Sequence, residues 1–229
     1  MPNQNIIAID GPSGVGKGTL AQNIADYYGF AKLDTGSLYR AITLHLLDLG
    51  LDMDKLTEDI AAAEAKKISD NNSIIRFAKN PDIRSELVSK LTAPIASWEK
   101  VRKVIRKYQV DFGLNPPPLA NGSPAKGAVI EGRDIGTVIF PDAPLKIYLT
   151  ASAEEKAARR VKQYADEGIQ TDYDEVLKEQ KARDEIDLTR KHGKLQIASD
   201  AIIIDNSNLT KSQTLSLAKD LIREKLGLS

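Results

Sequence analysis

Gly11-Pro12-Ser13-Gly14-Val15-Gly16-Lys17-Gly18-Thr19 follows the apolar run Ile6-Ile7-Ala8-Ile9-Asp10 and precedes a segment, Thr19 to about Tyr28, that reads as a helix. Strand, glycine-rich turn and helix in that order are the setting in which a phosphate-binding loop works. Glycines let the chain curl until successive backbone N–H groups point into one concavity, and the helix N-terminus behind them adds partial positive charge. Lys17 can then reach the β- and γ-phosphates of a nucleotide as a mobile cation. The stretch departs in one place from the general form G-x-x-x-x-G-K-[ST]: Gly18 follows the lysine, and the hydroxyl comes one residue later at Thr19. A hydroxyl directly after the lysine ordinarily holds magnesium. Mg2+ is therefore expected to be held mainly by nucleotide phosphates and water.

Four more short runs read as strands: Ala31–Asp34, Ala128–Glu131, Lys146–Leu149 and Ala201–Asp205. Short, mostly apolar strands are those of a buried parallel sheet. The expected architecture is α/β, a five-stranded parallel sheet flanked by helices. After the second strand, Thr35-Gly36-Ser37-Leu38-Tyr39-Arg40 opens a helix to about Leu49, with Leu38, Ile42, Leu46 and Leu49 near helical period. Arg40 in its first turns is equally a surface arginine or a site residue. Glu58 to Ile68 reads as a helix, and Ser73–Phe77 as one strand of a small sheet. Ile83 to Phe112 is helical in pattern, with Pro94 expected to break or kink it and Trp98 expected in the core. Arg102 lies among five cations between Lys100 and Lys107, so a solvated face accounts for it as well. Residues 115–127, with three consecutive prolines, read as a stiff connector.

Gly132-Arg133-Asp134-Ile135-Gly136-Thr137 sits at the C-terminal end of a core strand, where open α/β sheets bind ligands. Farther on, Ser152 to about Asp166 is a predicted helix carrying Arg159 and Arg160. Asp172 to about Arg190 is another, on which Arg183, Asp187 and Arg190 share one face. Those three residues fit either a salt-bridge ladder or a lid whose arginines close over phosphates. The two histidines, His45 and His192, have no metal-ligand spacing and are assigned to packing or surface.

Composition sets limits. The chain has 229 residues, 32 Lys plus Arg against 32 Asp plus Glu, and no cysteine. Zero formal charge gives no support for a general nucleic-acid or membrane-surface binder. The missing cysteines remove disulfides and thiol chemistry. No apolar run approaches the ~20 residues of a membrane helix, and the N-terminus enters the first strand without a recognisable signal peptide. A cytoplasmic protein is expected. A phosphate loop with a late arginine-rich excursion reads as phosphoryl transfer, in which catalysis is mainly positioning and charge stabilisation.

Ile9 to Thr19, Leu33-Asp34-Thr35-Gly36-Ser37-Leu38-Tyr39-Arg40, the run 132–143, and Arg183-Asp184 with Asp187 and Arg190 together resemble the bacterial cytidylate (CMP) kinases of the nucleoside monophosphate kinase group. The resemblance covers nearly the whole chain. It implies a P-loop NTPase-type core (1–36, 127–151 and 196–229), a monophosphate-binding insertion (about 37–114), the connector 115–126 and a helical lid (about 152–195). Gly11, Pro12, Ser13, Gly14, Val15, Gly16, Lys17, Gly18 and Thr19 would bind ATP phosphates. Arg40, Arg133 and Arg190 would hold the CMP phosphate. Arg102 and Asp134 would read cytosine, Thr35 would line that pocket, and Arg183 and Asp187 would meet the sugar hydroxyls. Arg159 and Arg160 would be the lid arginines nearest the transferring group. Lys17, Arg133, Arg159 and Arg190 are the implied catalytic set.

The chain departs from the family pattern at Ala93, where a serine usually touches cytosine, and has Glu131 where aspartate is common. The small-sheet insertion is expected to be shortened, and the proline-rich connector is longer than usual. The resemblance implies ATP-dependent phosphorylation of CMP or dCMP by a monomer. A broader UMP/CMP kinase and a P-loop nucleotide switch are the alternatives. The switch lacks an Asn-Lys-x-Asp guanine motif in this chain.

Overall fold

Every residue of the first strand, β1 (Ile6–Asp10), is buried, as its apolar run requires of a strand covered on both faces. The computed structural model describes residues 5–228. Helix α1 (Lys17–Tyr28) follows, starting two residues earlier than the sequence suggests, so that Lys17 stands in its first turn. It begins after Gly16 at φ 92° and ends at Gly29 at φ 69°, left-handed conformations that glycine supplies without a Cβ clash. Strand β2 (Ala31–Asp34) then leads into α2 (Thr35–Asp48), capped by the Asp34 carboxylate accepting from the Ser37 N–H at 3.1 Å.

Helices α3 (Glu58–Asp70), α4 (Ile74–Ala78), α5 (Glu86–Ile95) and α6 (Glu99–Leu114) come next. The expected strand at 73–77 is therefore a helix. Ile74 and Phe77, three apart, are its buried residues, and that spacing fits a helical turn against α2 better than an alternating strand. The segment 83–112 breaks as expected, although not at Pro94 itself. Pro94 lies within the last turn of α5, and the chain turns at Ala96–Trp98. Trp98 is half-buried and packs against the core.

Strand β3 (Ala128–Gly132) leads into a single π-turn, Ile135–Ile139. Strand β4 (Leu145–Thr150), α7 (Ala153–Asp166), α8 (Tyr173–Thr189), β5 (Ile202–Asp205) and α9 (Lys211–Leu226) complete the order. All five strands are parallel in the order β2-β3-β1-β4-β5. The register pairs Asp10 with Gly132 and Asp34 with Glu131, which aligns the C-terminal ends of β1, β2 and β3. One apolar core lies between the sheet and α2 to α6, and the other between the sheet, α1 and α9. Among the described residues no helix is long and apolar enough to cross a membrane.

Candidate active site

The phosphate loop leaves β1 at Gly11, whose φ is 153° and which lies against the backbone of Leu149 on β4. Lys17 is buried, and its ammonium donates to the Pro12 carbonyl at 2.7 Å. Burial first, and then the Arg133 guanidinium, pull its pKa down to about 7, against the pull of Glu131, Asp10 and Asp187. The lysine is thus held inside a loop built for anions, with its charge poorly solvated until an anion arrives.

The turn after β3 and the end of α8 meet on the far side of that loop. Arg133 Nε donates to Asp187 Oδ2 at 2.6 Å, and Arg190 lies 3.4 Å from Asp187 Oδ1. Arg190 also donates from Nε to the Gly193 carbonyl at 2.5 Å. Burial opposes it, but Arg133, Arg190 and Arg183 together hold the Asp187 carboxyl below its usual range. One carboxylate therefore stands among three guanidiniums. Arg40 and Arg183 face the same space and make no hydrogen bond or ion pair with another described residue. Burial and the neighbouring Arg133 depress both, Arg183 to about 10 although its outer surface is exposed. An excess of positive charge that cannot be relieved by deprotonation marks a site for an anion.

Arg102 reaches across from α6 to Asp134 at 2.5 Å and also donates to the Ala96 carbonyl at 3.0 Å. Its guanidinium carbon lies 5.5 Å from the centre of the Tyr39 ring. Tyr39 is buried, and burial pushes its pKa up to about 12 against the pull of the Arg102 guanidinium beside it. Thr35 is buried and its hydroxyl donates to the Glu131 carbonyl at 2.8 Å. Ala93 and Pro94 are both exposed on α5.

Of the two arginines of α7, Arg160 stays near enough to Arg183 to lower its pKa, and Arg159 turns the other way. Arg159 donates to the Asn206 side chain at 3.0 Å and its carbonyl at 2.8 Å, and pairs with Glu155 at 2.8 Å. Asn206 also donates to the Val15 carbonyl at 2.8 Å. These residues line a cavity of about 240 Å³ with Thr19, Leu209 and Thr210. Arg160 stacks on Tyr164 at 4.3 Å. The structure thus gathers Lys17, Arg40, Arg102, Arg133, Asp134, Arg183, Asp187 and Arg190 on one side of the loop and sets Arg159 on the other.

Beneath the loop, a Cβ at Gly18 would lie 3.2 Å from Glu131 Oε1, a buried oxygen without a hydrogen bond. Burial and the nearby Asp34 raise the Glu131 pKa, opposed by Lys17 and Lys32. No group of three or more His, Asp or Glu among the described residues could hold a metal directly. His45 and His192 each face one glutamate, at 3.2 and 3.8 Å.

Sequence reasoning passed over Asn206 and Gly193. Asn206 directly follows the C-terminal end of β5, a position where open sheets bind ligands, and that was its available signal. Gly193 has φ 65°, and a Cβ there would collide with the Arg102 guanidinium. Its only signal was an isolated glycine in a polar stretch.

A family model for cytidylate kinase matches residues 7–224. The chain is 36% identical over 227 residues to the cytidylate kinase of Mycobacterium avium (strain 104), covering 96% of each chain. It is 39% identical over 217 residues to that of Rhodopseudomonas palustris (strain TIE-1), covering 95% of each. Among solved structures, an uncharacterized protein from Eubacterium ventriosum ATCC 27560 is similar in fold, with a TM-score of 0.52 at 14% identity, covering 95% of this chain and 98% of that one. Because the family match runs through the loop, the turn after β3 and both arginine-bearing helices, the chain belongs to the cytidylate kinase family.

Proposed function

We propose that the protein transfers the γ-phosphoryl group of ATP to CMP or dCMP, giving ADP and the corresponding diphosphate. The observation that carries this reading is the full-length match to cytidylate kinases over the segments that hold the site. The phosphate loop and Lys17 would take the ATP phosphates. The cavity beside Asn206 and Arg159 would take the donor's base, which moves Arg159 from the transferring group toward that base. Arg40, Arg133 and Arg190 would bind the CMP phosphate, and Arg183 and Asp187 the sugar hydroxyls. The Arg102–Asp134 pair presents a donor and an acceptor side by side, a combination suited to the edge of cytosine.

An acceptor phosphate oxygen is already anionic, so no general base is required. Guanidiniums that meet phosphate oxygens through paired hydrogen bonds stabilise the charge spread over the transferring group. Closure of α7 and α8 would exclude water and favour transfer over hydrolysis. Magnesium fits this site through water: Glu131 Oε1 beside Gly18 makes no hydrogen bond, pairs with Lys32 at 3.6 Å, and could accept from a metal-bound water. Bound with ATP, the ion would neutralise charge on the β- and γ-phosphates.

The test is ADP production from ATP and magnesium with CMP, dCMP, UMP, AMP or GMP supplied singly. Stimulation by CMP and dCMP alone is expected. Equal stimulation by UMP would show that the site does not discriminate between the bases, and stimulation by none would refute the reading.

A further inference from the structure

Asp134 holds the N-cap position of the π-turn 135–139, yet its side chain caps nothing there. An acid at that position ordinarily turns back to accept from the first free amides of the turn. Asp134 instead gives Oδ2 to Arg102 at 2.5 Å. The orphaned amides are taken by a residue from another strand. Asp10 accepts from Ile135 N at 2.9 Å through Oδ1 and from Gly136 N at 2.7 Å through Oδ2. Asp10 is buried at 5% exposure, the last residue of β1, and directly precedes Gly11. Both carboxylate oxygens are engaged, which is the condition for keeping such a group inside the protein.

We propose that Asp10 is a positioning residue for the acceptor nucleotide: it caps the turn in place of Asp134, and so leaves Asp134 and Arg133 facing CMP. The same carboxylate joins the strand feeding the phosphate loop to the turn that holds the acceptor. The two substrates are thereby set in one frame, and a small misplacement between them costs rate steeply. This inference rests on the assignment of Arg133 and Asp134 to the CMP site.

The test is Asp10→Asn, which keeps the shape but turns one acceptor into an N–H2 facing a backbone N–H. The expected result is a KM for CMP raised about tenfold or more, a KM for ATP within threefold, and a narrowed preference for CMP over UMP. Values for CMP within twofold of the unsubstituted enzyme would overturn the proposal. So would equal rises in both KM values with an unchanged CMP-to-UMP ratio, since that is what general loosening produces. Should the variant not fold, amide exchange in the unsubstituted protein decides. Ile135 and Gly136 N–H are expected to exchange as slowly as β1 amides without nucleotide, and exchange at the rate of surface loops would overturn the assignment. Absence of CMP-stimulated ADP formation by the unsubstituted enzyme would instead defeat the CMP reading, leaving the exchange result to stand for the cap alone.

Discussion

A lysine whose pKa is drawn down to about 7 loses its proton near neutrality in the free enzyme. Triphosphate beside it restores the charged form, so ATP binding at pH 8 should be accompanied by net proton uptake. Calorimetry at pH 8 in two buffers of different ionisation heat reads this directly, because the ATP phosphates are already ionised there. The same depression governs folding: between about pH 7 and 10.5 the unfolded chain holds a proton on Lys17 that the folded one has lost. Stability from this group therefore rises with pH over that window. Lys17→Ala should nearly abolish turnover with little change in fold. Arg133→Ala would remove the charged contact proposed for the acceptor phosphate and should lower turnover on CMP by ~10²-fold or more, and a loss under threefold would remove Arg133 from the site. Gly11→Ala would put a methyl group onto the Leu149 carbonyl in a backbone conformation that L-residues rarely adopt. A loss of at least ~2 kcal/mol is expected in denaturant unfolding. The strand, loop and helix of the phosphate loop were legible in sequence, apart from the two-residue earlier start of α1, because its glycines answer to local backbone geometry. Asp10 and Gly193 were not, because their roles are set by atoms far away along the chain.

Helices α7 and α8 pack together through a buried ion pair between Lys156 and Asp184, beside Gly14 of the phosphate loop. The lysine side chain is 3% exposed and the aspartate 22%. Asp184→Ala would leave a buried ammonium without its counter-charge, a loss of about 3 kcal/mol, the low end for a buried pair because Asp184 reaches water. The loss should be local: hydrogen exchange of α7 and α8 should quicken while β1 and β3 keep their protection. The elements themselves were mostly visible in sequence, since the apolar period of 3.6 or the short apolar run belongs to each segment alone. The exception, 74–78, is five residues long. A segment so short carries too few repeats to separate the two periods, and packing against α2 decided its conformation. The crossing of Arg102 from α6 to Asp134 depends on how two elements meet, which no single segment encodes.

Across the whole molecule, the order β2-β3-β1-β4-β5 brings three strand ends, α2, α6 and α8 around one cluster of arginines. That order was absent from the sequence reading, which had the number and direction of the strands without their neighbours. Burial, joined by the charge of the nearby Arg133, lowers the pKa values of Arg40, Arg183 and Arg190. Their repulsion is a standing cost of the nucleotide-free fold. Millimolar inorganic phosphate should therefore raise the melting temperature more than sodium chloride at equal ionic strength, and Arg183→Gln should shrink the difference. The crowded guanidiniums also decide which molecules are worth closing upon. Cytidine offers the same base edge as CMP and nothing to quiet the three guanidiniums proposed for its phosphate, so it should be refused for want of charge however well its base fits. A cytosine-bearing nucleoside drug would consequently meet this protein only after another kinase had already given it a first phosphate.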